Sequence, residues 1–336
     1  STTTLASTTV GGTWTSSNPS VASVVPGTGV VTGVASGSTI ITYTLPTGCY
    51  ATTPITVNPI PSPVTGINNV CVGLTTSLAS ATTGGIWSSS NVAEATIGSL
   101  SGVVSGITAG VPIMTYTLPV TGCYVISPVT VNSLPSSITG TINVCVGGNS
   151  TLSSATSGGS WSSGSLSLAT IGSSSGIVTG VAAGTPVITY TLGTGCITTI
   201  TITVDPLPAS ITGVTNVCEG LTTTLSNASP GGVWTSSNTG LATVGSSTGV
   251  VTGVSSGTPN ISYTLPTGCS SVAPITVNPV PAPITGSSSV CTGSTISLYN
   301  ASPGGTWISA TPTIATISST GWLSGISPGT VSISYV

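Results

Sequence analysis

The chain has 336 residues, and only Glu94, Asp205 and Glu219 carry charge, for a formal net charge of −3. Lys, Arg, His, Gln and Phe are absent. Without an imidazole, an amine, a guanidinium or a carboxylate pair, most acid–base and nucleophilic catalysis is excluded, and without cations so is binding to a nucleic-acid backbone.

Apolar residues make up 38% of the chain. Val, Ile and Thr come in short runs broken by Gly, Pro and Ser, a pattern of strands and turns rather than of disorder. No apolar run approaches the ~18 residues of a membrane span, and no secretory leader is visible. Five tryptophans, Trp14, Trp87, Trp161, Trp234 and Trp307, follow one another at 73, 74, 73 and 73 residues. Each closes a Gly-Gly-x-Trp. A fixed period of this length marks one folding unit repeated in tandem. The frame divides the chain at 1–61, 62–135, 136–208, 209–281 and 282–336, three complete repeats flanked by an N-terminally and a C-terminally incomplete one.

Within the third repeat, strands are expected at Ile138–Val144, at Ser150–Ser154 with Leu152 inward, and around Trp161 after the Gly158-Gly159 turn. Further strands are expected at Ala169–Gly172, Ile177–Val181, Val187–Leu192 and, after a hairpin at Gly193–Gly195, Ile197–Val204. No helical period is present. Seven short strands with closely spaced turns predict an all-β chain of tandem immunoglobulin-like sandwiches. The sixth strand reports its buried face: the position of Ile40 accepts Asn260 and Ser332, whereas those of Ile41, Tyr43 and Leu45 stay apolar and point inward. The five repeating tryptophans are expected to fill the same core, and Trp322, standing where Val30, Val103, Ile177 and Val250 stand, is a local substitution. The seventh strand carries Pro54, Pro128 and Pro274 and reads as an edge strand, where proline does the guarding that charge usually does. Thr201 replaces proline in the third repeat, which leaves that edge the stickiest.

No two of the three acids share a repeat position, so neither a calcium site nor any other metal or cofactor site is expected. Asn149, Asn227, Asn260 and Asn300 open Asn-x-Ser/Thr triplets that fit glycan acceptors, a motif common by chance in so Ser/Thr-rich a chain.

The stretch Trp87-Ser88-Ser89-Ser90-Asn91, then Ala95-Thr96-Ile97-Gly98 and Gly102-Val103-Val104-Ser105-Gly106, with its counterparts in all five repeats, resembles the bacterial Ig-like group 2 domain. The resemblance implies the stalk of a large bacterial surface adhesin or extracellular repeat protein. The Val-Cys-x-Gly and Thr-Gly-Cys elements look like variants found in giant secreted proteins of gliding bacteria of the Bacteroidota type. Such a resemblance is specific for fold and weak for function.

Eight cysteines form two series. Cys71, Cys145, Cys218 and Cys291 end the first strand, and Cys49, Cys123, Cys196 and Cys269 lie in the hairpin between the sixth and seventh. Their spacing does not cluster zinc ligands, and disulfides in an oxidising exterior are the better reading. Pairing within a repeat (Cys71 with Cys123, Cys145 with Cys196, Cys218 with Cys269) closes loops worth roughly 4 kcal/mol each, yet a regular sandwich holds those positions about 20 Å apart, against the ~7 Å a disulfide allows. Pairing across a junction joins Cys71 with Cys196 and Cys145 with Cys269. Both schemes remain open, with pairs such as Cys49–Cys71 a third.

Junctions such as Asn58-Pro59-Ile60-Pro61-Ser62-Pro63 alternate proline and read as short, stiff connectors. Five units of roughly 35–40 Å then give a rod on the order of 150–190 Å long. The expected function is structural, an extracellular filament or adhesin stalk at the bacterial cell surface. Near-zero charge favours bundling or polymerisation, or the chain continues a longer array. Ser1–Val10 is a candidate strand donor to the incomplete last repeat. The alternative is a module that binds a surface or glycan, with ice binding through Thr rows as a minor variant.

Overall fold

The structure, a computed structural model, describes every residue from Ser1 to Val336. It contains strands and no helix. The third repeat shows the plan. Its strands are β1 (Ile138–Gly140), β2 (Asn143–Cys145), β3 (Asn149–Ser154), β4 (Ser160–Ser163), β5 (Ala169–Ile171), β6 (Ile177–Gly180), β7 (Val187–Thr191), β8 (Ile197–Thr201) and β9 (Thr203–Asp205). One sheet has the order β1-β3-β6-β5 and is antiparallel throughout. The facing sheet runs β4-β7-β8, also antiparallel, and β9 pairs in parallel with β2. This is the immunoglobulin-like two-sheet arrangement, and the second and fourth repeats reproduce it.

Two expected strands are each broken in two. Ile138–Val144 divides at Thr141-Ile142, so that β1 lies in one sheet and β2 crosses to the other. Ile197–Val204 is interrupted at Ile202, which faces Pro186: the Ile202 N–H donates to the Pro186 carbonyl at 3.1 Å, but proline has no N–H to return. Beyond it the antiparallel register continues through Gly184 and Val204, and β9 gains β2 as a parallel partner on its other edge. The first break lets one segment serve both sheets. Tyr124–Pro128 and Ser270–Pro274 end in proline at the same place, and each is the outer strand of its three-stranded sheet. Proline's missing donor costs nothing there.

Thr2–Thr4 pairs with Val30–Gly33 of its own repeat. That corrects the expectation that Ser1–Val10 is free for donation: the segment is the first repeat's counterpart of β3 and already has its ladder.

Each repeat has a separate core. In the third, ten buried residues, among them Leu152, Trp161, Val178, Ile188, Tyr190, Ile202 and Val204, form one cluster. The second and fourth have nine each, the first four and the last three. Alternation decides the inward set: in β7, Ile188 and Tyr190 are buried while Val187 is exposed. The surface of 17936 Å² exceeds the roughly 12,000 Å² of a compact monomer of this mass, as expected of small cores strung in a line.

Trp161 and Tyr190 face each other across β4 and β7 with ring centroids 4.6 Å apart. The Tyr190 hydroxyl accepts the Gly159 N–H at 2.9 Å and donates to the Thr156 carbonyl at 2.8 Å. A Cβ on Gly159 would come within 2.5 Å of the Tyr190 ring, which explains the second glycine of every Gly-Gly-x-Trp. Gly176, at φ +67°, turns the chain over Trp161, where a side chain would strike the Leu152 carbonyl. Gly159→Ala is expected to destabilise the third repeat by about 1–3 kcal/mol through this overpacking, measured by chemical denaturation against the parent.

Candidate functional site at the stapled junction

No group of three Cys, Asp or Glu side chains gathers anywhere, and the three acids sit apart. Glu219 accepts the Ser256 N–H, and Glu94 packs where a Cβ on Gly110 would fall. The distinctive chemistry lies instead between repeats.

Cys71 bonds Cys196 and Cys145 bonds Cys269, with Cα–Cα distances of 5.7 and 5.6 Å. Each links the end of one repeat's parallel strand to the hairpin of the following repeat. The within-repeat scheme and pairs such as Cys49–Cys71 are overturned: Cys123 and Cys218 are unbonded and half-buried, and Cys49 and Cys291 are unbonded and exposed. The reason is geometric, because strand and hairpin occupy opposite ends of one sandwich.

The parallel ladder seats each staple. Cys71 stands beside Asn132 and Cys145 beside Asp205, the last strand residues before the linkers. The incoming sulfurs of Cys196 and Cys269 lie 3.9 and 4.0 Å from the carbonyls of Asn132 and Asp205. The disulfide and the linker therefore leave a repeat at adjacent points on one rim. Two attachments side by side restrain bending and twisting that a single connector permits.

On its far side each linker is clamped. The Ser62 N–H donates to Thr82 Oγ1 at 2.8 Å, and Ser80 Oγ donates to the Ser62 carbonyl at 2.9 Å. Ser136 meets Thr156 and Ser154 in the same way, at 2.9 and 3.1 Å. At the next two junctions Asn replaces the first Ser. Ala209 is held by Ser229 and Asn227, and Ala282 by Ser302 and Asn300. In each of the four repeats that follow a linker, the tyrosine under the tryptophan donates to the carbonyl of the same Thr or Ser, as Tyr116 does to Thr82 at 2.7 Å and Tyr263 to Ser229 at 2.7 Å. The core is thus wired to the linker.

This clamp was missed in the sequence. Its signal is the Ser/Asn-Ala-Thr/Ser triplet aligned at Ser80, Ser154, Asn227 and Asn300. Two of those triplets read as glycan acceptors, but the amides of Asn227 and Asn300 are engaged with linker carbonyls. Asn149 accepts a hydrogen bond from Thr179 at 2.7 Å.

Trp14, Trp87, Trp161 and Trp234 are buried, and Trp307 is half-buried. All five stack on a tyrosine, at centroid distances from 4.6 to 4.9 Å. Trp322 is exposed on the outside of the last repeat, with exposed Tyr299 on a neighbouring strand.

Residues 1–56 match the family described as bacterial Ig-like domain (group 2), and the Trp and Gly positions of that segment recur in the other four repeats. No curated protein matches the chain. Among solved structures, it is similar to domains 1–6 of the surface layer protein SbsC, at 15% identity and a TM-score of 0.22 over 97% of this chain and 58% of that one. Invasin, a bacterial integrin-binding protein, overlaps 96% of the chain and 91% of its own structure at 17% identity and a TM-score of 0.34. A C-terminal intimin fragment in complex with the intimin-binding domain of its translocated receptor overlaps 46% and 67% at 15% identity and a TM-score of 0.32. The chain spans about 58% of the SbsC structure.

Proposed function

We propose that this chain is a stiff, uncharged segment of an extracellular bacterial stalk or filament, built from domains that divide at 61/62, 135/136, 208/209 and 281/282. The observation that carries this reading is the pairing of a clamped linker with a disulfide at the same rim. Disulfides belong to an oxidising exterior. Separate small cores in series resist extension as links of a chain do, and their job is length rather than chemistry. No residue set for catalysis supports an enzymatic role.

The nearly uncharged surface lacks the repulsion that keeps rods apart. At high concentration, electron microscopy is expected to show extended rods lying side by side. Dispersed, compact monomers under the same conditions would contradict the proposal.

A further inference from the structure

Two aromatic side chains on the last repeat, Trp322 and Tyr299, take no part in its core. The four-stranded sheet that carries them has the order Thr285–Gly286, Thr295–Tyr299, Trp322–Gly325, Ala315–Ile317. Leu298, Leu323 and Ala315 point from it into the core, and the alternate residues form its outer face. On that face Trp322 lies opposite Ser297, and Tyr299 lies opposite Thr285. Tyr299 is therefore the diagonal neighbour of Trp322 across two strands, with Cβ atoms roughly 7–8 Å apart. Trp322 is 54% exposed and Tyr299 65%. An indole half in water leaves on the order of 100 Å² of its surface wet.

The pair is peculiar to this repeat. Trp322 stands where Val30, Val103, Ile177 and Val250 stand, and Tyr299 where Ala6, Ala79, Ser153 and Ser226 stand. Both positions turn aromatic together. The face is also open along the array: Val103, Ile177 and Val250 are exposed in repeats that have a successor, so a following domain does not cover it. Hydroxyls surround the indole. Ser297 and Ser318 lie beside it, and Thr295 and Ser324 form the next row. The Ser318 N–H donates to the Trp322 carbonyl at 2.9 Å, and the Trp322 N–H donates to Ser318 Oγ at 3.1 Å, which fixes the backbone under the ring. No charged residue occurs from 282 to 336.

We propose that Trp322 and Tyr299 form a stacking platform for a neutral polysaccharide of equatorially linked sugar rings, of the cellulose or chitin type. An aromatic face carries partial negative charge, and the C–H face of a sugar ring settles on it. Ser and Thr hydroxyls both donate and accept hydrogen bonds, as sugar hydroxyls do. An anionic polymer would find no cation here. Both aromatics rise from one extended sheet, so the platform is flat and fits a flat ribbon of rings rather than a coil. An apolar patch rimmed by polar groups marks such a site. The platform goes beyond the stalk reading, because binding needs this one face and not the bundling of rods.

The test titrates the 336-residue chain with cellohexaose and with chitohexaose and follows its six indole N–H resonances. At least one of the two sugars is expected to move the Trp322 signal while the other five stay in place. Maltohexaose, whose axial links coil the chain, is expected to bind at least tenfold more weakly. Trp322→Val and Tyr299→Ser install residues that other repeats carry at these positions, and an unchanged Trp307 signal reports that the repeat is still folded. The first substitution is expected to weaken binding at least tenfold and the second at least threefold. A Trp322 signal unmoved by both sugars, equal binding of maltohexaose, or binding unchanged by Trp322→Val would each overturn the proposal. So would a Trp322 signal that moves with protein concentration and not with sugar, since the face would then belong to a second molecule of this chain.

Discussion

Replacing Cys145 and Cys269 together by serine is expected to lower the stability of the third and fourth repeats by about 5 kcal/mol, by the loop-closure entropy of a crosslink of this span. The bond spans 124 residues, taking in nearly all of the third repeat and most of the fourth. With the bond in place, either repeat can unfold only as a tethered loop. Without it the unfolded chain regains that freedom. For two repeats the loss corresponds to a melting midpoint lower by on the order of 10 °C or more. The first repeat, whose Cys49 is unbonded, serves as an internal reference and should not move. Calorimetry of the double variant beside the parent checks both statements. An unchanged midpoint for the third and fourth repeats would mean that the staple constrains nothing.

Trp161→Ala is expected to cost about 3–5 kcal/mol, the usual range for removing a large buried aromatic. A core of this size supplies only about 3–5 kcal/mol. The substitution therefore brings the third repeat to the edge of unfolding. That repeat alone has both of its cysteines, Cys145 and Cys196, in staples. Under oxidising conditions the variant should stay folded. Under reducing conditions, amide exchange in β3, β4, β6 and β7 should rise towards unfolded rates. The cores containing Trp87 and Trp234 should keep their protection, because no cluster of buried residues is shared between repeats. Loss of protection along the whole chain would show that the repeats do not fold separately.

The repeat made much of this fold legible. Five variants of one strand displayed side by side show which positions tolerate polar residues, and Ile40 is exposed while Ile41 is buried as that comparison requires. The break in the last strand was not legible. Ile197–Val204 alternates like one continuous strand, and what interrupts it is Pro186 on the facing segment, which has no N–H to give. The staple was half legible: the distance between the two ends of one sandwich weighed against pairing within a repeat, but that the following hairpin reaches the parallel strand is shown only by the structure. The linker clamp escaped because Ser, Thr and Asn abound in this chain. A hydrogen-bonding triplet stands out only when the same carbonyl is seen to meet it at each junction.

The stiffness of the rod depends on disulfides that cross the junctions rather than close within repeats. Trypsin has no site in this chain, which lacks Lys and Arg, so a protease of broader specificity is needed. Peptide mapping by mass spectrometry, without reduction and with free thiols blocked beforehand, reads the pairing. Linked peptides joining Cys71 to Cys196 and Cys145 to Cys269 are expected. A Cys71–Cys123 or Cys145–Cys196 linkage would contradict that pairing.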